Sequence, residues 1–327
     1  MWPAIAISII SFIVATLAVG WLARSRAARL ALDAPNERSL HTVPVPRTGG
    51  IGLLLGVCAG WVIVGPLLPW PYWSGAALLI AVSLLDDLRG LSAAVRLGVH
   101  LLAAALATTA MMPAGTSLAV IIMVILATGW MCNLYNFMDG SDGLAGGMAV
   151  SGFLFFAIAA ALAGSLQFAL LNLAISAAAA GFLLHNFHPA RIFLGDAGSV
   201  PLGFLAATLG IIGWLQQDWT WWFPLLVFSP FIIDASVTLA RRLLSGARAW
   251  EAHRDHYYQR LVQLGLGHHK TALAEYALMA VCGLTALWAM TLAGIAQYAV
   301  LAAAGMLYAG LIAAIERAWR ARQAANG

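Results

Sequence analysis

Apolar residues run along this chain in stretches of helix length, separated by short polar turns. They do not show the ten-residue alternation of a membrane β-barrel strand. The first run is Trp2–Ala23. Others fall near 50–68, 73–87, 95–112, 117–136, 145–163, 166–186, 199–215, 220–240, 272–292 and 295–315. Turn residues at Pro69–Pro71, Pro113–Thr116, Gly164–Ser165 and Gln216–Trp219 punctuate the runs. The pattern predicts an all-α polytopic membrane protein with about 11 transmembrane helices, in one domain over residues 1–327. No positive charge precedes the first run, and Arg24, Arg26 and Arg29 follow it. That order predicts an uncleaved helix with its N-terminus outside.

Composition agrees. The chain is 62% hydrophobic and only 9% charged, against roughly 25% charged in soluble domains. Cys58, Cys132 and Cys282 have no metal-binding or redox spacing. The net charge of +4 gives no reason to expect nucleic acid once the basic residues are placed. All 17 Lys and Arg fall in loops 24–49, 88–96, 241–270, the turn near 190 and the C-terminal tail. These lie on one side of the predicted threading, and the opposite loops hold none. The positive-inside rule makes that side cytoplasmic.

The polar residues within the apolar background gather on the same side. Asn133, Asn136, Asp139 and Asp142 recur at every third position at the end of the fifth run. Gly140 and Gly143 then let the backbone leave the helix. Asp86 and Asp87 end the third run. Adjacent helical residues point about 100° apart, so one carboxylate can face a metal or phosphate while the other pairs with a cation. Asn186 ends the seventh run. Phe193-Leu194-Gly195-Asp196-Ala197-Gly198-Ser199 leads into the eighth. Ser199 reads as an N-cap with Pro201 in the first turn, and the helix start reads as an anion site beside Asp196. Asp234 lies in the ninth run. Arg241-Arg242 and a loop with Ala252-His253-Arg254-Asp255-His256-Tyr257-Tyr258 follow. His100 reads as packed, and His268-His269 as a plain loop-to-helix junction. Carboxylates and amides meeting basic loops at one membrane face suit metal-assisted chemistry on phosphorylated substrates.

Taken together, these residues resemble the polyprenyl-phosphate N-acetylhexosamine-1-phosphate transferases, glycosyltransferase family 4. The resemblance rests on Arg47-Thr-Gly-Gly50, Asp86-Asp87, Asn133-x-x-Asn136-x-x-Asp139-Gly-x-Asp142-Gly-Leu144, Phe193-x-Gly195-Asp196-Ala-Gly-Ser199, Asp234 and the Arg241-Arg242 to His256 loop, over residues 33–261. It implies ten or eleven helices in a bacterial inner membrane and a site on the cytoplasmic face. The implied reaction moves a sugar 1-phosphate from a UDP-N-acetylhexosamine to undecaprenyl phosphate and releases UMP. It also implies Mg²⁺, with Mn²⁺ as the alternative ion, held by Asp196 with Asn136. Asp86, Asp87 and His256 become the expected catalytic residues. Arg47, Asn133, Asp139, Asp142, Asn186, Phe193, Arg242 and His253 become the expected substrate-binding ones. The lipid bilayer is an expected partner, and a homodimer is left open.

Many members carry His-x-His-His in the last loop, whereas here Tyr258 and Gln259 follow His256. This variant looks like the O-antigen-initiating branch. An aromatic face with a hydroxyl handle, from Tyr257 and Tyr258, suits a partly apolar sugar. The expected donor is therefore N-acetylglucosamine or a 6-deoxy sugar such as N-acetylfucosamine or N-acetylquinovosamine. Phospho-N-acetylmuramoyl-pentapeptide transfer is the alternative. A secondary transporter would place carboxylates near the bilayer midplane and show inverted repeats, and neither is seen.

Overall fold

The structure, a computed structural model, describes residues 2–29, 31–33, 44–65, 68–246 and 253–326. Ala252 and two of the 17 basic residues, Arg38 and Arg248, lie outside these residues. The helices are α1 (Trp2–Arg24), α2 (Gly49–Val64), α3 (Trp70–Arg89), α4 (Ala93–Met111), α5 (Leu118–Phe137), α6 (Leu144–Leu162) and α7 (Leu166–Asn186). They continue with α8 (Asp196–Leu215), α9 (Phe223–Val227), α10 (Ser229–Leu244), α11 (Tyr257–Leu261), α12 (Gly267–Met290) and α13 (Ile295–Asn326). Among the described residues the strand pairing is β1 (Leu32–Asp33) antiparallel to β2 (Val45–Pro46).

Each predicted span has a helical counterpart. Among the described residues, eight helical stretches are long and apolar enough to cross a membrane: α1, α4, α5, α6, α7, α8, Tyr257–Met290 and Ile295–Ala325. The other three predicted spans fall short. Helix α2 has 16 residues, and α3 ends in Asp86, Asp87 and Arg89. The run near 220–240 breaks after Val227, because Pro230 has no N–H to give the Leu226 carbonyl. Ser229 Oγ donates to that carbonyl instead, at 2.7 Å. Helix α13 has 32 residues, a length of about 48 Å. It outruns both its expected end and the hydrocarbon layer, so its last turns stand at the level of the loops.

Small residues set which helices meet. Gly52, Gly56 and Gly60 recur every fourth position on α2. A Cβ on them would lie 2.6 Å from Val19 Cγ2, 2.6 Å from Ala15 Cβ and 2.1 Å from Ser11 Oγ of α1. The two backbones can touch only because those atoms are missing.

The segment before α2 positions the functional end. Phe193 N donates to the Pro46 carbonyl at 2.7 Å. Gly49 N and Gly50 N donate to the Phe193 and Leu194 carbonyls at 2.9 and 2.8 Å. This strap lays Arg47 along the start of α8. That helix begins at Asp196, after Gly195 at φ 73°, and not at the expected Ser199 cap. Ser199 Oγ instead donates back to the Gly195 carbonyl at 3.1 Å, and Pro201 lies inside the helix.

Candidate active site

The ends of α3, α5 and α8, the turn after α5 and the segment around α11 enclose a polar cavity of about 480 Å³. Its lining includes Asp33, Arg47, Asp86, Asn136, Asp139, Asp142, Phe193, Asp196, His253, Tyr258, Gln259 and His268. Most sequence-derived candidates therefore converge. Asp87, Asn133, Asn186, Arg242 and His256 do not line it, and their contacts explain why.

Asp86 and Asp87 divide their work as their helical spacing predicts. The Asp87 carboxylate is 4% exposed and caps α8. It accepts from Asp196 N at 3.2 Å and Ala197 N at 3.0 Å. The expected anion site at the start of α8 is thus filled by a side chain from α3. Arg47 Nε lies 3.6 Å from the same carboxylate, and its Nη2 donates to the Asp87 carbonyl at 3.0 Å. Asp86 faces the cavity. It accepts from Leu91 N and, at 3.1 Å, from Arg96 Nη1.

Arg96, on α4, is the residue that sequence reasoning passed over. Its guanidinium bridges Asp86 and Asp196, the second contact being 3.4 Å. Asp196 also has the Asn136 amide within hydrogen-bonding reach. Asp139, in the turn after α5, is held well above the usual carboxylate range. Burial is the main cause, followed by the charges of Asp196, Asp87 and Asp33. Two arginines stand against this group of carboxylates.

The donor set suits a hard divalent cation. Asp196, Asp86 and Asn136 offer oxygen ligands on one side and leave the cavity open on the other. Mg²⁺ is commonly held this way, by one or two carboxylates with substrate phosphates completing its shell. Among the described residues no group of three His, Cys, Asp or Glu is arranged to hold a metal alone.

The neighbouring candidates brace this site. Asn186 is 3% exposed, accepts from Gly143 N at 3.0 Å and donates to the Ile192 carbonyl at 2.9 Å. It joins two turns instead of facing a ligand. Asp142 accepts from His188 Nδ1 at 2.6 Å and Ala190 N at 3.1 Å. The Asn133 amide donates to the Gly129 carbonyl of its own helix at 2.8 Å. His268, read as a plain junction residue, belongs to the wall. It bonds Ser141 Oγ at 2.9 Å and stacks on His188 with centroids 5.5 Å apart. Nothing in its local pattern signals this, because its partners come from two distant turns.

Asp234 organises the last loop. It accepts from His256 Nδ1 at 3.1 Å and from Tyr257 N and Tyr258 N at 2.9 Å each. His256 is thereby buried behind the wall. His253 reaches the cavity, and burial, then the charges of His256 and Arg242, push it down to about 4. It is neutral at physiological pH. Arg242 pairs with Asp255. The two hydroxyls expected as a handle for a sugar have protein partners, while Tyr258 itself lines the cavity. The Tyr257 hydroxyl bonds Glu316 and Arg241, and the Tyr258 hydroxyl donates to the Phe137 carbonyl at 3.1 Å.

The sequence profile described as Glycosyl transferase family 4 matches residues 70–214, which contain the aspartate pair, the Asn133–Leu144 element and the start of α8. A Bacillus subtilis protein named probable undecaprenyl-phosphate N-acetylglucosaminyl 1-phosphate transferase is 30% identical over 264 residues. The match covers 75% of this chain and 74% of that protein. A decaprenyl-phosphate N-acetylglucosaminephosphotransferase of Mycobacterium tuberculosis is 29% identical over 303 residues, covering 77% and 74%. A Staphylococcus aureus phospho-N-acetylmuramoyl-pentapeptide-transferase is 32% identical over 169 residues, covering 52% and 51%.

Proposed function

We propose that this chain, which belongs to the glycosyltransferase family 4 polyprenyl-phosphate sugar-phosphate transferases, moves N-acetylhexosamine 1-phosphate from a UDP-sugar to undecaprenyl phosphate. The observation that carries the reading is the Asp86–Arg96–Asp196 bridge at the wall of the polar cavity. In the proposed step an oxygen of the lipid phosphate attacks the β-phosphorus of the UDP-sugar. The bond from that phosphorus to the bridging oxygen breaks, and the electron pair leaves with UMP. The product is an undecaprenyl-diphosphate sugar.

Mg²⁺ bound by Asp196, Asp86 and Asn136 would neutralise charge on the diphosphate. Arg47 and Arg96 supply fixed positive charge for phosphate oxygens. A phosphate monoester has its second pKa near 6, so the acceptor is largely dianionic at neutral pH without a strong base. Asp86 is held by Leu91 N and Arg96, which favours a positioning role over attack on the donor. The arginine asymmetry supports a cavity on the cytoplasmic face of the inner membrane, where the reaction would begin an O-antigen or other cell-envelope glycan.

The test is UMP release by purified protein with Mg²⁺, undecaprenyl phosphate and UDP-N-acetylglucosamine, with 6-deoxy donors and UDP-N-acetylmuramoyl-pentapeptide run in parallel. Direct attack predicts no UMP without the lipid. A stoichiometric, lipid-independent burst that Asp86→Asn abolishes would establish a covalent route instead. Turnover of the pentapeptide donor alone would move the chain to the peptidoglycan reaction, which the half-length match to the Staphylococcus aureus enzyme keeps in view.

A further inference from the structure

Helix α13 lies wholly outside the matched profile, and only 6% of its apolar stretch is buried. Its last turns are nevertheless pinned. Glu316 accepts from Arg260 Nη1 at 2.9 Å and from the Tyr257 hydroxyl at 3.2 Å, and it also pairs with Arg241. The Arg260 guanidinium lies over the rings of Tyr257 and Trp319, 5.6 and 5.3 Å from their centroids. One carboxylate near the end of the chain therefore gathers two residues of α11 and one of α10.

Helix α11 has five residues. It runs on through the Val262–Leu266 turn into α12, so contacts from other elements bear chiefly on its start. Carboxylates grip that start from two directions. Asp234 holds the backbone N–H groups at its start, and Glu316 holds its outer side chains. The inner side of α11 carries Tyr258 and Gln259 to the cavity wall. Arg260 is 6% exposed, so without Glu316 it would be a buried cation short of its counter-charge, which strongly disfavours the present seating of α11.

We propose that Glu316 is a positioning residue for the donor cavity, acting through α11. The C-terminal end of α13 is then part of the transfer machinery although it touches no substrate. The effect on turnover rests on the transferase reading above; the effect on α11 does not.

The experiment uses the full-length protein with Glu316→Ala, Glu316→Gln, Arg260→Ala and the double Glu316→Ala/Arg260→Ala. Backbone hydrogen exchange over residues 253–261 should speed up in Glu316→Ala and only partly so in Glu316→Gln, which keeps the acceptor oxygen. The kcat/KM for UDP-N-acetylglucosamine should fall on the order of 100-fold, the scale of a catalytic wall displaced by about 1 Å. The loss should lie in KM for the nucleotide sugar, with KM for the lipid unchanged. The double variant should be no worse than Glu316→Ala. Unchanged exchange across 253–261 would overturn the proposal whether or not the wild type transfers sugar. Altered exchange with kcat/KM within twofold of wild type, or an equal rise in both KM values with a lower Tm, would reduce Glu316 to a general stabilising contact. A wild type that turns over no donor would sink the transferase reading while the exchange result still decided the clasp.

Discussion

The two ends of the helix bundle handle polar groups in opposite ways. At the arginine-rich end, Asp86, Asp139 and Asp196 crowd around an open cavity with Arg47 and Arg96. At the other end, the loops between helices carry a single charged residue, Asp218. There Asp218 accepts from Ser165 Oγ at 2.5 Å, and aromatic packing surrounds it. Trp219 stacks on Phe156 and Phe223 with centroids 4.8 and 5.4 Å apart and donates to the Gly210 carbonyl at 2.9 Å. One end joins its loops by burial and by hydrogen bonds in which Asp218 is the charged member. The other keeps like charges close together, which is unfavourable unless a cation or a substrate's phosphates make use of it. The contrast separates polar residues that brace the fold from polar residues held for chemistry.

The sharpest way to break the contrast is Asp196→Asn. The substitution keeps the shape, removes the charge that Mg²⁺ would need and relieves repulsion from Asp86. Turnover should fall by a factor on the order of 1,000 or more, with no loss of Tm. A variant with near-wild-type velocity at limiting Mg²⁺ would remove Asp196 from the reaction.

Arg96→Gln should have the next largest effect. Arg96 supplies positive charge to the two carboxylates that Mg²⁺ would need. Its loss should lower kcat/KM by about 100-fold, the cost of removing one preorganised electrostatic contact. It should also lower the Mg²⁺ concentration for half-maximal velocity, because a competing cation is gone. An unchanged Mg²⁺ dependence would show that the bridge does not share its site with the ion.

Much of the fold was legible from apolar run length, and the site from its carboxylates and amides, because both are local signals. What escaped depended on partners far along the chain. The start of α8 lies at Asp196 because Asp87, 109 positions earlier, caps it, so reading Ser199 as the cap could not succeed. The partners of the Tyr257 and Tyr258 hydroxyls, Glu316 and the Phe137 carbonyl, are likewise remote in sequence. Arg96 stands ten residues after Asp86, and only the turn between α3 and α4 brings them together. The break at Pro230 was visible as a proline but hidden by the apolar residues on both sides, which read as one span.

The smallest expected effect belongs to the opposite end. Asp218→Ala removes the partner of Ser165 Oγ and should cost about 1–2 kcal/mol of stability, while kcat/KM of the folded protein stays within twofold. The pH dependence adds a sign. Burial raises the Asp218 carboxyl above its ordinary 3.8, with the Ser165 bond opposing. The native protein therefore holds this proton to higher pH than the unfolded chain does. As pH climbs from 3.8 through the native value, the unfolded state has released the proton and the native state has not, so this residue's contribution to stability declines. Asp218→Asn keeps an acceptor for Ser165 and should flatten that part of the wild-type slope, measured as Tm against pH in detergent. If Asp218→Asn instead lowers kcat/KM as Arg96→Gln does, the two ends are coupled and the division between bracing and reacting polar groups fails.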